Sequence, residues 1–483
     1  MKAMRKIFAV ILAVTAAAAL YGQNKTSYFV RNSTQSHNFN AAFVPEQGYV
    51  GFPLLSNIDL GLATNLGLSN FLYNMPDGST GLFLNEAVSS EEFLSGLRKN
   101  NPVNLGFSYS LINAGWFTGK SSFWTLDFGI DVNVDADIPL EVFRFLKEGM
   151  SRSSTEYNIN NLNLTGGAYA YASVGYSRGL DELVKGLRVG AKARFLASFS
   201  EFDINIRNMD ISLSEDQWAA KSLATADYYG GLLDFGVDSD GYLDFYDIAF
   251  VLDPSRFIGG MGASFDIGAE YTISEGTPVD GLRFSLSVTD LGFIAHKADM
   301  ITSAEATGEV SFSGVGNLMD PDLDVNGAMS DVTEQFLTML DFKKKEVTGS
   351  RTTMLTATMY AGVDYSFLKD KMNVGLLYSA RFGKYRTDHE LTLAWNYAPS
   401  RKFDVALSYS FLKNASSIGW LLTFTPVRGI GLFVGSEYTS LNYNALNISG
   451  MRIPLPSKLF IDFDFGFTIS LGGTNSRPRS YDD

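Results

Sequence analysis

The chain has 483 residues, 52 acidic against 38 basic, a formal net charge of −14 and no cysteine. That balance leaves no surface for neutralising phosphates, so nucleic acid is not an expected partner. The missing cysteines exclude disulfide scaffolds, thiolate metal sites, cysteine nucleophiles and the acylated cysteine of a lipoprotein.

Residues 1–22 read as an export signal. Lys2, Arg5 and Lys6 precede the apolar run "IFAVILAVTAAAAL", Ile7 to Leu20, and cleavage is expected between Gly22 and Gln23. A membrane anchor needs about 20 apolar residues, more than this run supplies. Residues 23–55 are too polar to span, so a luminal or plug segment is expected there.

From Ser56 the dominant pattern is period two, the signature of strands with one apolar and one polar face. Fourteen segments carry it: near 56–68, 103–112, 121–137, 159–177, 186–206, 258–273, 281–294, 352–367, 371–384, 387–398, 401–412, 416–426, 429–440 and 457–471. Tight, turn-like linkers such as "LKDK" (368–371) and "APSRK" (398–402) imply antiparallel neighbours. Many segments exceed the about 5–6 residues usual in soluble sheets and suit the about 9–11 of a tilted spanning strand.

The expected fold is therefore all-β: an antiparallel transmembrane β-barrel of about 14 strands over 56–473, followed by a polar tail at 474–483. Long loop insertions fall near 207–257 and 295–351. Helix-like stretches are Leu82 to Leu97, Pro139 to Met150 and Met329 to Phe342. The closing strand, "KLFIDFDFGFTISLGG", should pair with the first. That would bring Asp462 and Asp464 close to Asp59, three carboxylates in need of a cation.

With apolar faces on lipid, the charged positions line the lumen. Asp127, Asp131 and Asp135 point inward from one strand, and Arg188, Lys192 and Arg194 from another. Asp266, Glu270, Arg283 and Arg381 join them, as do Asp59, Asp462 and Asp464. Salt bridges across the lumen are one reading. The other is a polar conduit or ligand chamber in which Arg188, Lys192, Arg194, Arg283 and Arg381 hold a carboxylate. Tyr109, Trp124, Tyr378, Trp395, Tyr397, Tyr409, Trp420 and Tyr438 are candidates for interfacial girdles.

Asp238, Asp240 and Asp244 in "DFGVDSDGYLDFYD" have partial calcium-loop spacing, but Gly236 occupies the first ligand place. A solvated acidic turn is the plainer reading. The three histidines, His37, His296 and His389, lack ligand-like spacing, and no catalytic or dinucleotide fingerprint occurs. No cofactor and no enzymatic activity are expected.

"RNSTQSHNFNAAFVPEQGYVGFPLLSNIDLGLATN", Arg31 to Asn65, resembles the entry signature of an uncharacterised outer-membrane barrel family, a domain of unknown function. That family is similar to the long-chain fatty-acid transporter group, whose barrels have fourteen strands, and to a shuttle barrel of type IX secretion. Asn40-Ala41-Ala42-Phe43 stands where the wider group has an Asn-Pro-Ala stretch in its plug region. "MGASFDIGAEYTISEG" and "LRFSLSVTDLGFI" resemble the group's central hairpin.

The resemblance implies an outer-membrane location, with lipid and the barrel assembly machinery as partners. The first functional expectation is a channel or transporter for small hydrophobic or amphipathic solutes such as fatty acids. The alternative is a non-transporting structural or secretion-associated barrel, with secretion-system proteins as partners. A soluble secreted β-protein is the third.

Overall fold

The computed structural model describes residues 25–472, except 54, 120, 150–153, 215–217, 274–275, 277–278, 313–341, 369, 401, 414, 427–428, 442 and 449–450. The export signal, its cleavage point, the polar tail and most of the third helix-like stretch lie outside the described residues.

Fourteen strands make the wall. They are β1 (Asn57–Thr64), β2 (Asn100–Thr118), β3 (Ser122–Pro139), β4 (Ser154–Gly179), β5 (Leu187–Ser214), β6 (Gly260–Thr272) and β7 (Leu282–His296). Then come β8 (Ala357–Phe367), β9 (Met372–Phe382), β10 (Thr387–Ser400), β11 (Phe403–Leu412), β12 (Ala415–Phe424), β13 (Ile430–Thr439) and β14 (Leu459–Gly472). Each pairs antiparallel with the next. β14 closes on β1, with Asp464 opposite Asp59. The chain is thus an antiparallel transmembrane β-barrel with every wall strand paired on both sides.

Alternation decides which face meets lipid. Along β14, Ile461, Phe463, Ile469 and Leu471 are exposed, while Asp462, Asp464 and Thr468 are buried. The same outward apolar set recurs on other strands, as at Leu126 and Phe128, Phe265 and Ile267, Leu391 and Leu393, and Leu407 and Phe411. Outward apolar side chains recurring on strand after strand are the pattern of a lipid-facing wall rather than of a soluble surface, where large apolar patches are rare. In hydrocarbon a closed barrel also satisfies backbone groups that lipid cannot.

Three expectations need correction. The wall begins before residue 56: Gly48–Gly51 pairs with the end of β14 and with β2, and the same two strands are paired again by β1 from Asn57. Phe52 packs on Phe467, ring centroids 5.1 Å apart.

The insertion near 207–257 is largely sheet rather than loop. β4 and β5 have 26 and 28 residues, and their outer ends continue through Trp218–Gly230 to Ile301–Phe312. Ile206, Met209, Ile211 and Leu213 bury one face of this extension with Ala220, Ala224, Ala304 and Phe145. Phe145 sits on helix Leu140–Glu148.

The first helix-like stretch, 82–97, is helical only over Ser90–Ser95. Ser89 caps it by accepting from the Glu92 N–H, so the helix cannot extend back to Leu82.

Candidate luminal site

Turns between β2 and β3, β4 and β5, and β8 and β9 are short, and the opposite rim carries the long connections. Residues 25–43 lie inside the barrel, with contacts that run from Asp127 of β3 round to Glu437 of β13. Tyr28, Phe29, Phe39 and Phe43 form an aromatic core with Tyr360 and Leu377 of the wall. Tyr28 and Phe29 meet edge to face at 4.8 Å, and Phe39 meets Tyr360 at 5.6 Å.

The wall is shaped for this segment. A Cβ at Gly190 would strike the Ala41 carbonyl, and one at Gly268 would strike the Asn40 side chain. Bare backbone at these two places lets the luminal chain lie directly on the strands.

Polar contacts complete the seal. Asn373 Nδ2 donates to the Phe29 carbonyl (2.9 Å), Ser287 Oγ to the Phe39 carbonyl (2.6 Å) and Ser177 Oγ to the Ala42 carbonyl (3.0 Å). Arg31 reaches Asp370 at 3.2 Å near the short-turn rim. A cavity there, lined by Val30, Asp370, Asn373 and Asn396, has 10 Å³, room for about one water.

Each of the five basic candidates already holds protein acceptors. Arg188 donates to the Ser121 carbonyl (3.0 Å) and lies 3.8 Å from Glu270. Lys192 donates to Asn38 Oδ1 (2.8 Å) and lies 3.7 Å from Asp127. Arg194 bridges Asp290 (2.7 Å) and Asp266 (3.3 Å). Arg283 bridges Asp364 (2.7 Å) and Glu270 (3.3 Å), with its guanidinium 4.9 Å from the Phe43 ring centroid. Arg188, Lys192, Arg194 and Arg283 thus share one wall, β5 to β7.

Arg381 stands apart. It grips Asp135 of β3 with both terminal nitrogens, at 2.9 and 2.7 Å, although β9 and β3 are not neighbours. The turn after it follows the same path: Lys384 and Tyr385 bond Asp203, and Arg386 reaches the Ala136 carbonyl and Asn104. Residues 381–386 therefore strap the mouth on the long-connection side. Sequence reading missed the strap because "FGKYRTD" looks like any exposed polar turn.

The seam between β13, β14 and β1 is acidic. Asp59, Asp462, Asp464 and Glu437 are all buried there. Asp462 Oδ1 accepts the Glu437 N–H. A register shift in β13 turns both Glu437 and Tyr438 inward, so Tyr438 is luminal rather than part of a girdle. The other seven girdle candidates lie on the outward face, half-buried.

The cation beside this seam comes from the luminal segment. Lys25 Nζ lies 2.6 Å from Glu390, 2.8 Å from Glu437 and 2.7 Å from the Tyr438 hydroxyl. Its backbone N–H donates to Glu437 Oε2 at 3.0 Å. Burial alone would lower the Lys25 pKa, but Glu390 and then Glu437 outweigh it and hold the ammonium well above the ordinary lysine value.

His37 sits 3.3 Å from Asp127, and burial and then Lys192 keep its imidazole below the usual histidine value.

The calcium candidates do not gather. Asp238 Oδ1 accepts the N–H groups of Asp240 and Tyr242, both at 2.9 Å, closing a turn. No metal-holding group of three His, Cys, Asp or Glu side chains occurs among the described residues.

Among known proteins, residues 41–437 match the family described as "Family of unknown function (DUF5723)". No curated protein matches. The barrel is similar to the toluene transporter TbuX of Ralstonia pickettii, with 7% identity, TM-score 0.37, and 91% of this chain and 94% of that one covered. It is also similar to the toluene transporter TodX of Pseudomonas putida, with 10% identity, TM-score 0.36, and coverage of 94% and 95%. For the translocator domain of the autotransporter NalP from Neisseria meningitidis the figures are 8%, 0.31, 89% and 90%.

Proposed function

The chain belongs to the family of unknown function DUF5723, and we propose that it is a plugged outer-membrane barrel passing small hydrophobic or amphipathic solutes, fatty acids among them. The observation that carries this reading is how the lumen is closed. A separate N-terminal segment fills it, held by side chains and resting on wall glycines, and can leave without any wall strand unpairing. The strap at 381–386 closes the far mouth by side-chain contacts alone.

A ligand carboxylate entering the basic wall would have to displace Asp266, Glu270 or Asp364 from Arg194 and Arg283. That favours solutes bound mainly through their apolar part. The test is flux of a fluorescent fatty acid into liposomes holding the purified barrel. Flux should rise several-fold when Arg381→Ala opens the strap. No flux from wild type or from that variant, with folded barrel on gels, sinks the transport reading.

A second reading is a secretion-associated scaffold. It is supported by the thoroughly ion-paired lumen and by the sheet that extends β4 and β5 beyond the wall. Co-purification of a stoichiometric protein partner, lost when that sheet is shortened, would favour it.

A further inference from the structure

Two strands pair in succession with the same edge of β5. β6 holds its first half, with Gly260 opposite Ser198, and Trp218–Gly230 holds its outer half, with Gly230 opposite Ser200. Residues 231–259 leave and rejoin the wall at this junction. The Gly259 N–H donates to the Ser198 carbonyl (2.9 Å), and a Cβ on Gly259 would meet the Gly230 Cα at 2.7 Å. We propose that this excursion is a membrane anchor, with Phe250, Leu252 and Phe257 seated among the acyl chains of the leaflet at the long-connection rim.

The height of the junction is the first argument. From Leu187 at the short-turn rim to Ser198, β5 rises about 28 Å, at about 3.3 Å per residue and a tilt of about 40°. An outward apolar band is about 25 Å tall, so the excursion is rooted at its upper edge. The wall beside the root faces lipid: Phe195 of β5, Met261 of β6 and Phe293 of β7 are all exposed.

The second argument is what the excursion presents. Leu252 is 84% exposed and Phe250 60%, and Phe257 is exposed as well. The polar groups near them are engaged within the protein. Asp253 Oδ1 accepts the Ser255 N–H (2.9 Å) and hydroxyl (2.8 Å), and Arg256 grips both carboxylate oxygens of Asp234 (3.0 and 2.7 Å). An apolar patch left this open marks an interaction surface, and its continuity with the lipid-facing belt selects lipid as the partner. The assignment holds whether or not the barrel transports anything.

The chain has no cysteine, so a single introduced cysteine reports one place. Full-length Phe250→Cys, Leu252→Cys and Phe257→Cys, shown folded by heat-dependent migration on gels, are labelled with a nitrobenzoxadiazole fluorophore and placed in phosphatidylcholine vesicles. Asp240→Cys, at an exposed place in the acidic turn, marks water, and Leu393→Cys, exposed on β10, marks the lipid-facing wall.

Nitroxide-bearing lipids should quench the label at 252 several-fold more than at 240, close to the value at 393. Iodide on both faces of the vesicles should quench it several-fold less than at 240. Where one of the three variants fails to fold, the other two still decide. Iodide quenching as strong as at 240 leaves the patch in water and overturns the proposal. Shielding from both quenchers overturns it too, because protein rather than lipid then covers the patch.

Discussion

The two sides of the lumen neutralise charge by different routes. On β5 to β7 the strands carry both signs: Arg194 meets Asp266 and Asp290, and Arg283 meets Asp364 and Glu270, wall to wall. At the seam of β13, β14 and β1 the strands bring Glu437, Asp462, Asp464 and Asp59, and the cation beside them, Lys25, arrives on the luminal segment. The first side is complete as a piece of barrel. The second is completed by a part that can leave, so the electrostatics of the seam and retention of the plug are one equilibrium.

Removing a cation from each side separates the two cases, and the wall should show the larger effect. Arg194→Met leaves buried Asp266, and Asp290 beside it, without their shared partner, which typically costs about 3–5 kcal/mol. The urea midpoint of the whole barrel should fall, while protease access to residues 25–43 changes only with global unfolding. Selective release of the N-terminal segment by this variant would break the distinction.

Lys25→Met should do the reverse. Glu390 keeps the Tyr438 hydroxyl, at 2.8 Å, so the loss is smaller, about 1–3 kcal/mol. It should appear as faster proteolysis of the segment from a barrel whose urea midpoint is nearly unchanged.

Gly190→Ala tests the packing without touching a charge. The new methyl meets the Ala41 carbonyl, and overpacking of this kind costs about 1–3 kcal/mol. The segment should loosen again, by less than in the lysine variant if the ion pairs dominate its retention.

The smallest effect concerns pH. The folded His37 imidazole is held below the value of about 6.5 expected when unfolded, so the unfolded form binds the proton more readily. Its contribution is full above about pH 6.5 and is lost as pH falls below that. Protease release of the segment should rise modestly between pH 7 and 5, and His37→Gln should flatten the rise.

Much of this was legible from period two alone. Each of the fourteen alternating segments corresponds to a wall strand, because a transmembrane wall writes its two solvents directly into neighbouring residues. The acidic meeting of Asp59 with Asp462 and Asp464 followed from closing the last strand on the first. Tyr438 escaped that logic, since a register shift turns two successive residues inward. The outer sheet escaped it too: Met209 to Leu213 alternates like a spanning strand but buries its apolar face on helix Leu140–Glu148 and neighbouring strands instead of lipid.

By itself, then, the sequence determined the barrel, its strands and the side of the wall on which each charge stands, because alternation is local. Only the tertiary structure decided which charges meet. Arg381 finds Asp135, 246 residues away, and Lys25 finds Glu437, 412 residues away. Pairs that join opposite walls, or plug to wall, depend on how the closed barrel brings remote strands around one lumen, and no local pattern records that.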